Sequence, residues 1–370
     1  MKKRIIAYLL SLVTMVTLGL NNSKKVTEDN QNNIKIEEEQ KNTNKETINN
    51  EKQEEIEKEE VIENTKTSLT ISAVGDCTLG RDERGSYYNS LPHFLEQNNN
   101  DYSYFFKEVY NILSNDDLSI ANLESVFTDY NVRADKQFTF KATSDYINIL
   151  TEGSIEAVNL ANNHTYDYLE KGYNDTIETL KNSPVKYFGN GIYSIVEIKD
   201  KKIGLCGIQG WNVDNAYKNI DSAIKYFKEN NTDLEIFSFH WGEERDYTQN
   251  QNQEQVARYA VDNGVDLVLG HHPHVLQGIE KYNDKYIIYS LANFVFGGNK
   301  NPKDKDTMIV QVTFNYENNE LVNTDINIIP ASISSTDEYN NYQPIALEGE
   351  RKEKVLKKVL NSSNNFEYTK

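Results

Sequence analysis

Apolar and polar positions follow two rhythms along this chain, and the points where one rhythm stops are chemically biased. Strand-like apolar runs cover 70–76, 118–124, 157–164, 236–240 and 265–274. Between them, spacing near 3.6 residues predicts helices over 104–113, 144–151, 170–182, 220–230 and 253–263. The third places Tyr173, Ile177 and Leu180 on one face and stops before Pro184; the last is closed by Gly264, suited to a left-handed stop. Hairpins are expected over 193–208, turning at Lys199-Asp200-Lys201-Lys202, and over 279–296, turning at Asn283-Asp284. Two further strands flank 317–320, and a helix over 348–360 docks on the outside. Alternating strands and helices followed by hairpins predict an α/β fold: a mixed sheet, or two packed sheets, flanked by helices.

The front of the chain follows neither rhythm. Met1-Lys2-Lys3-Arg4 and the apolar stretch to Leu20 read as an export signal, cleaved or kept as an N-terminal membrane anchor (1–20). The run is short for a span of about 20 apolar residues and carries Ser11, Thr14 and Thr17. No cysteine follows it, so a lipid anchor is not indicated. Residues 21–66 are almost all Asn, Gln, Glu, Lys and Thr, which predicts a disordered tether. A main domain is expected over 67–335 and a tail with a short helix over 336–370. The net charge of −18 argues against nucleic acid as a partner, since phosphate binding needs a basic surface. Cys77 and Cys206 read as two buried thiols, with a bridge or a Cys77 metal contact as the alternative.

Candidate chemistry sits at the strand ends. The five runs stop at or beside Asp76, Glu124, Asn163-His164, His240 and His271-His272-Pro273-His274, and only His93 of the six histidines lies elsewhere. In open α/β sheets the ligand crevice lies outside the carboxyl ends of the strands, so these segments predict one polar site assembled from distant parts. Gly75 lets the backbone turn sharply before Asp76. Glu124 can bridge two cations, and Asn163 offers a carbonyl oxygen. His272 and His274, two apart in extended backbone, face the same way. Imidazole, carboxylate and amide oxygen suit one or two divalent ions, with Mn, Zn or Fe ahead of Mg or Ca. Such ions activate water and neutralise charge on a phosphoryl or carbonyl oxygen. His164, beside Asn163, is placed to protonate a leaving group. Glu243 and Glu244 are candidates to orient His240, or form a solvated loop. Arg81 and Lys141 are the nearest cations for an anionic substrate, and Asn293 lines the pocket or caps a strand.

These segments resemble the bacterial capsule-synthesis proteins of the CapA type, associated with poly-γ-glutamate capsules. The likeness is carried by Val74-Gly75-Asp76 with Arg81, Ala121-Asn122-Leu123-Glu124, Leu160-Ala161-Asn162-Asn163-His164 with Asp167, His240-Trp241-Gly242-Glu243-Glu244, Gly270-His271-His272-Pro273-His274 and Tyr289-Ser290-Leu291-Ala292-Asn293-Phe294, about 68–298 in all. The resemblance implies a metallophosphatase-like four-layer α/β/β/α sandwich with mixed sheets. It implies Asp76, Asn163, His240, His272 and His274 as ligands, Glu124 in place of the bridging Asp, and His164 as the catalytic histidine. It also implies an outward-facing, membrane-associated protein, anchored or secreted, that helps make, move or anchor an anionic surface polymer, with membrane-bound synthase components as further partners. Two positions depart from the pattern besides Glu124: Thr78 stands where an imidazole is expected, and Ala292 where Gly is more usual. The competing expectations are a non-catalytic accessory subunit of a polymer synthase and a secreted phosphoesterase unrelated to capsule.

Overall fold

The computed structural model describes residues 65–368; the signal or anchor and all but the end of the tether lie outside the described residues. Alternation along the strands builds two stacked sheets. The first comprises β1 (Lys66–Thr78), β2 (Leu118–Leu123), β5 (Ala157–Asn159), β6 (Lys186–Phe188), β13 (Asn293–Phe296), β14 (Asp306–Glu317), β15 (Glu320–Ser332) and β16 (Ile345–Ala346). Its order is β16-β15-β14-β1-β2-β5-β6, with β13 also paired to β1. The second comprises β7 (Ser194–Ile198), β8 (Lys201–Gln209), β9 (Leu234–His240), β10 (Leu267–His271), β11 (Ile279–Tyr282) and β12 (Lys285–Ile288), in the order β11-β12-β10-β9-β8-β7. β3 (Val126–Phe127) and β4 (Lys141–Ala142) form a small parallel pair. Both main sheets are mixed: β1-β2-β5-β6 and β8-β9-β10-β12 run parallel, and antiparallel hairpins extend them.

Three apolar layers follow from which residue of each strand points which way. Leu69, Ile71, Leu118 and Ile120 of the first sheet meet Ile203, Leu205, Ile236, Leu267 and Leu269 of the second. Each such side chain contributes about 1.5–3 kcal/mol on burial. The opposite face of the first sheet (Val74, Cys77, Ala121, Leu123) is covered by α1 (Leu91–Gln97), α2 (Tyr110–Leu113), α3 (Ile147–Glu152) and α4 (Leu169–Lys181). The outer face of the second (Cys206, Ile208, Phe237, Phe239) is covered by α5 (Val213–Glu229) and α6 (Gln251–Asp262). The expected four-layer α/β/β/α order is therefore present. α7 (Gly349–Asn361) inserts Val355, Leu356 and Val359 into the central layer. Both cysteines are buried and unpaired. Among the described residues no helix is long and apolar enough to cross a membrane.

Several expected elements change in detail. The helix over 104–113 is a 3-10 turn (Tyr102–Phe105) followed by the single-turn α2. Both Phe105 and Phe106 are fully buried there, and aromatic residues are mediocre helix formers, so packing overrides the period. Asn212 caps α5 and starts it well before Ile220. α6 begins with a capping box between Asn250 and Gln253. Lys199-Asp200 and Asn283-Asp284 are tight turns with positive φ, as two-residue hairpins require. The second hairpin ends at Ile288, however, and Asn293–Phe296 crosses to the first sheet to pair with β1. The left-handed Ala292 (φ 61°) redirects the chain at that crossing.

Candidate metal centre

A bulge near the end of β1 decides where Asp76 points. Ala73 pairs with Ile120 and Asp76 with Asn122, so three steps on β1 match two on β2. One extra residue reverses the alternation. Val74 and Cys77 consequently both face the helices, and Asp76 faces the space between the sheets with Asn122. Gly75 is required there because a Cβ would lie 2.0 Å from Ala292 O, a closer constraint than the turn expected of it.

The other candidates converge on Asp76 from both sheets. Glu124 follows β2, its backbone N–H bonded to Cys77 O at 3.0 Å. His240 ends β9 and lies in register with His271 at the end of β10. Asn122 donates through Nδ2 to Asp76 Oδ1 at 2.8 Å, and the same nitrogen lies 3.3 Å from His240 Nδ1. His240 Nε2 lies 2.9 Å from Asn163 Oδ1 and 3.4 Å from Glu124 Oε1. Glu124, His272 and His274 each offer a ligand atom, all within 4.8 Å of one another. His274 Nδ1 sits 3.3 Å from Asp76 Oδ2 and 2.9 Å from Asn293 Oδ1, and the His272 N–H points at Asp76 Oδ2 from 3.3 Å.

His272 and His274 do not reach this geometry in extended backbone. They follow β10 in a turn around Pro273, with φ of 97° and 57°. Positive φ in bulky residues costs of order 1–3 kcal/mol each and persists where surroundings enforce it, commonly at functional sites.

Electrostatics fit a cation. Both Glu124 oxygens and His272 Nδ1 are buried without hydrogen-bond partners among the described residues. Orphaned buried polar atoms are costly unless a ligand satisfies them. Burial, with Asp76 beside it, raises the Glu124 carboxyl to about 7. Burial would raise Asp76 too, but the His271 and His274 rings hold it well below the usual range. Burial works against charge on His274, yet Glu124 and Asp76 lift it to about 9. Burial depresses His272 to about 3 and holds His240 well below its ordinary value, leaving both neutral as ligands must be. Carboxylates, an amide oxygen and neutral imidazoles form a set that could hold a metal ion.

His164 lies at the edge of this cluster. Asn162 positions it by accepting the His164 N–H at 3.0 Å while donating to Leu123 O at 2.8 Å. His164 Nδ1 pairs with Asp167 Oδ2 at 2.6 Å, which leaves Nε2 for a substrate. Asp167 is further held by Lys136 Nζ at 2.6 Å and the Phe140 N–H at 2.6 Å. Phe140 packs on His164, Trp211 on His240 and His272, and Phe296 on His274. Trp211 also lines a cleft of about 530 Å³ with Asn190, Tyr193, Gln209 and Asn212.

The remaining candidates stand further out. Asn293 orients His274, donating through Nδ2 to its carbonyl at 3.2 Å. Arg81 bonds the carbonyls of Asp82 and Gly85 and shares a pocket with Arg84 and Lys300. The Lys141 ammonium is engaged by Tyr130 O, Asn131 Oδ1 and Glu83, none of them members of the cluster. Glu243 and Glu244 are exposed, and Glu244 acts on His272 and His274 through its charge. Asn122, Lys136 and His271 belong to the arrangement without having been singled out. Asn122 carries a signal, a polar residue at an inward position of an apolar strand, whereas nothing local marks Lys136.

A family model described as bacterial capsule synthesis protein PGA_cap matches residues 70–298. The chain is 32% identical over 272 residues to a capsule biosynthesis protein CapA of Bacillus anthracis, covering 66% of this chain and 63% of that one. It is 31% identical over 253 residues to a PGA biosynthesis protein CapA of Bacillus subtilis, covering 62% and 63%. A probable polyglutamine synthesis accessory protein of Mycobacterium tuberculosis is 25% identical over 210 residues, covering 48% and 55%. The chain thus spans less than two thirds of the length of these relatives.

Proposed function

The chain belongs to the bacterial capsule synthesis protein family, and from that premise we propose that it is an exported, membrane-associated metallohydrolase acting on a phosphoester or amide during synthesis, export or anchoring of an anionic surface polymer. Poly-γ-glutamate is the favoured polymer, as the motif resemblance implies, and relatives are named for PGA biosynthesis and for polyglutamine synthesis. The observation that carries the chemistry is Glu124, a buried carboxylate with both oxygens unpartnered, ringed by His240, His272 and His274.

Glu124, His272 and His274 would hold an ion, with His240 and Asn163 beside Glu124 and Asp76 beside His274 as further ligands. Mn, Zn or Fe suits this donor set better than Mg or Ca. A bound ion supplies Lewis-acid polarisation and an acidified water. The chain's own residues do the rest. Asp167 fixes the His164 ring so that Nε2 faces outward, where it protonates the leaving oxygen or nitrogen. Lys136 holds Asp167 in place through their ion pair. Trp211, Phe140 and Phe296 exclude water from the imidazoles they cover.

The test is metal analysis of the purified chain, then turnover on bis-p-nitrophenyl phosphate and on γ-glutamyl oligomers. Bound ion with turnover that His164→Ala abolishes supports the reading. One alternative rests on Thr78, which stands where the family pattern expects an imidazole. It makes the protein a non-catalytic accessory subunit of a polymer synthase, with metal serving folding or partner binding. Bound metal without turnover, and unaltered polymer in cells carrying His164→Ala, would select it.

A further inference from the structure

We infer that His271 supplies the imidazole missing at Thr78 and, with Asp76 and His274, completes a second cation position across Glu124 from the first. This rests on the metal reading above and extends it to a residue outside the family's ligand pattern.

His271 is fully buried at the end of β10, in register with His240. Leu267 and Leu269, its partners in strand alternation, both lie in the layer between the sheets, so His271 projects there too. Its Nδ1 lies 3.4 Å from Asp76 Oδ1, while His274 Nδ1 lies 3.3 Å from Asp76 Oδ2. The Asp76 carboxylate thus presents one oxygen to each imidazole. Neither ring nitrogen of His271 makes a hydrogen bond to any described residue. An interior imidazole usually donates from one nitrogen and accepts at the other. Apart from the 3.4 Å ion-pair contact of Nδ1 with Asp76, the nitrogens of this buried ring have no partner, which leaves the ring free to take a cation. Thr78 Oγ1, at the position of the absent ligand, is likewise buried and unpartnered. A carboxylate with two imidazoles suits the same ions as the first position, and Glu124 can serve both.

The competing role is structural: His271 as a charge partner for Asp76 and nothing more. The two roles separate in a metal titration of the full chain with Zn²⁺ or Mn²⁺, read by calorimetry and elemental analysis. The parent is expected to take two ions per chain. His271→Leu is expected to take one, with affinity for the second lowered by about 100-fold or more. The apo form of His271→Leu is expected to melt lower than the apo parent, because buried Asp76 loses a charge partner in either role, so the number of ions bound decides between the two. Two ions at parental affinity in His271→Leu would overturn the inference and leave the first position standing. A parent that takes no ion would overturn the metal reading itself. Should His271→Leu fail to fold, anomalous diffraction from Mn²⁺-soaked parent crystals decides. A second peak bonded to a His271 ring nitrogen supports the assignment, and a single peak remote from His271 ends it.

Discussion

Under the proposed metal reading, Glu124 and His274 together set the pH at which the pocket would accept a cation. Burial and the neighbouring Asp76 place the Glu124 carboxyl near 7, and two carboxylates hold His274 near 9. A ligand carboxyl must be ionised and a ligand imidazole neutral, so both protons oppose metal and leave as it binds. Apparent affinity should therefore climb from pH 6 to pH 9, with proton release measurable by calorimetry in buffers of different ionisation heat. A flat profile would contradict this. His164 separates binding from chemistry, because its ring is held by Asp167, Lys136 and Phe140, none of them a proposed ligand. His164→Ala should lower kcat by about 10²–10⁴-fold while metal content stays unchanged. Asp167→Asn should weaken turnover through misorientation of the ring, again with metal retained. Most of these residues were legible in the sequence, as polar groups closing apolar runs. His271 stood among them as a strand-end histidine but was not picked as a ligand, although its alternation with Leu267 and Leu269 points it inward.

Elements position these groups through two irregularities that hydrophobic patterning does not display. One is the β1 bulge, since a one-residue insertion leaves the apolar run looking continuous while reversing which face Asp76 occupies. The other is the departure of Asn293–Phe296 from the hairpin to join β1 in the opposite sheet, where Asn293 pairs with Asp76. Gly75 and Ala292 sit where these meet. Gly75→Ala would drive a Cβ into Ala292 O, and overpacking of this kind costs about 1–3 kcal/mol or more. It should lower Tm and weaken metal binding together, which thermal melts with and without Zn²⁺ would show. Ala292 adopts φ 61°, a region glycine occupies more readily. Ala292→Gly should raise stability by roughly 0.5–1 kcal/mol in denaturant unfolding, with metal affinity unchanged. Ala292, where the family pattern more usually has Gly, thus lies at a strained position. Periodicity did reveal the longer helices and both tight hairpins, because those are set locally by caps and turns.

At the scale of the whole molecule, the proposed ligands come from both sheets: Asp76 and Glu124 from the first, His240, His271, His272 and His274 from the second. On that proposal, an ion would pin the two sheets together across their apolar layer. Chelation should lower Tm, and an ion at 100 times its dissociation constant should restore about 2.7 kcal/mol. Calorimetry of the apo and reloaded chain measures both steps. Groups so far apart in sequence come together only after the long-range strand pairings have formed, so no cation can be gripped by the chain while it is still collapsing. A contact made that late acts on the escape rate and leaves the entry rate alone. Loading the pocket should accordingly show in stopped-flow traces as a native state that lives longer, with refolding proceeding at its unaided pace.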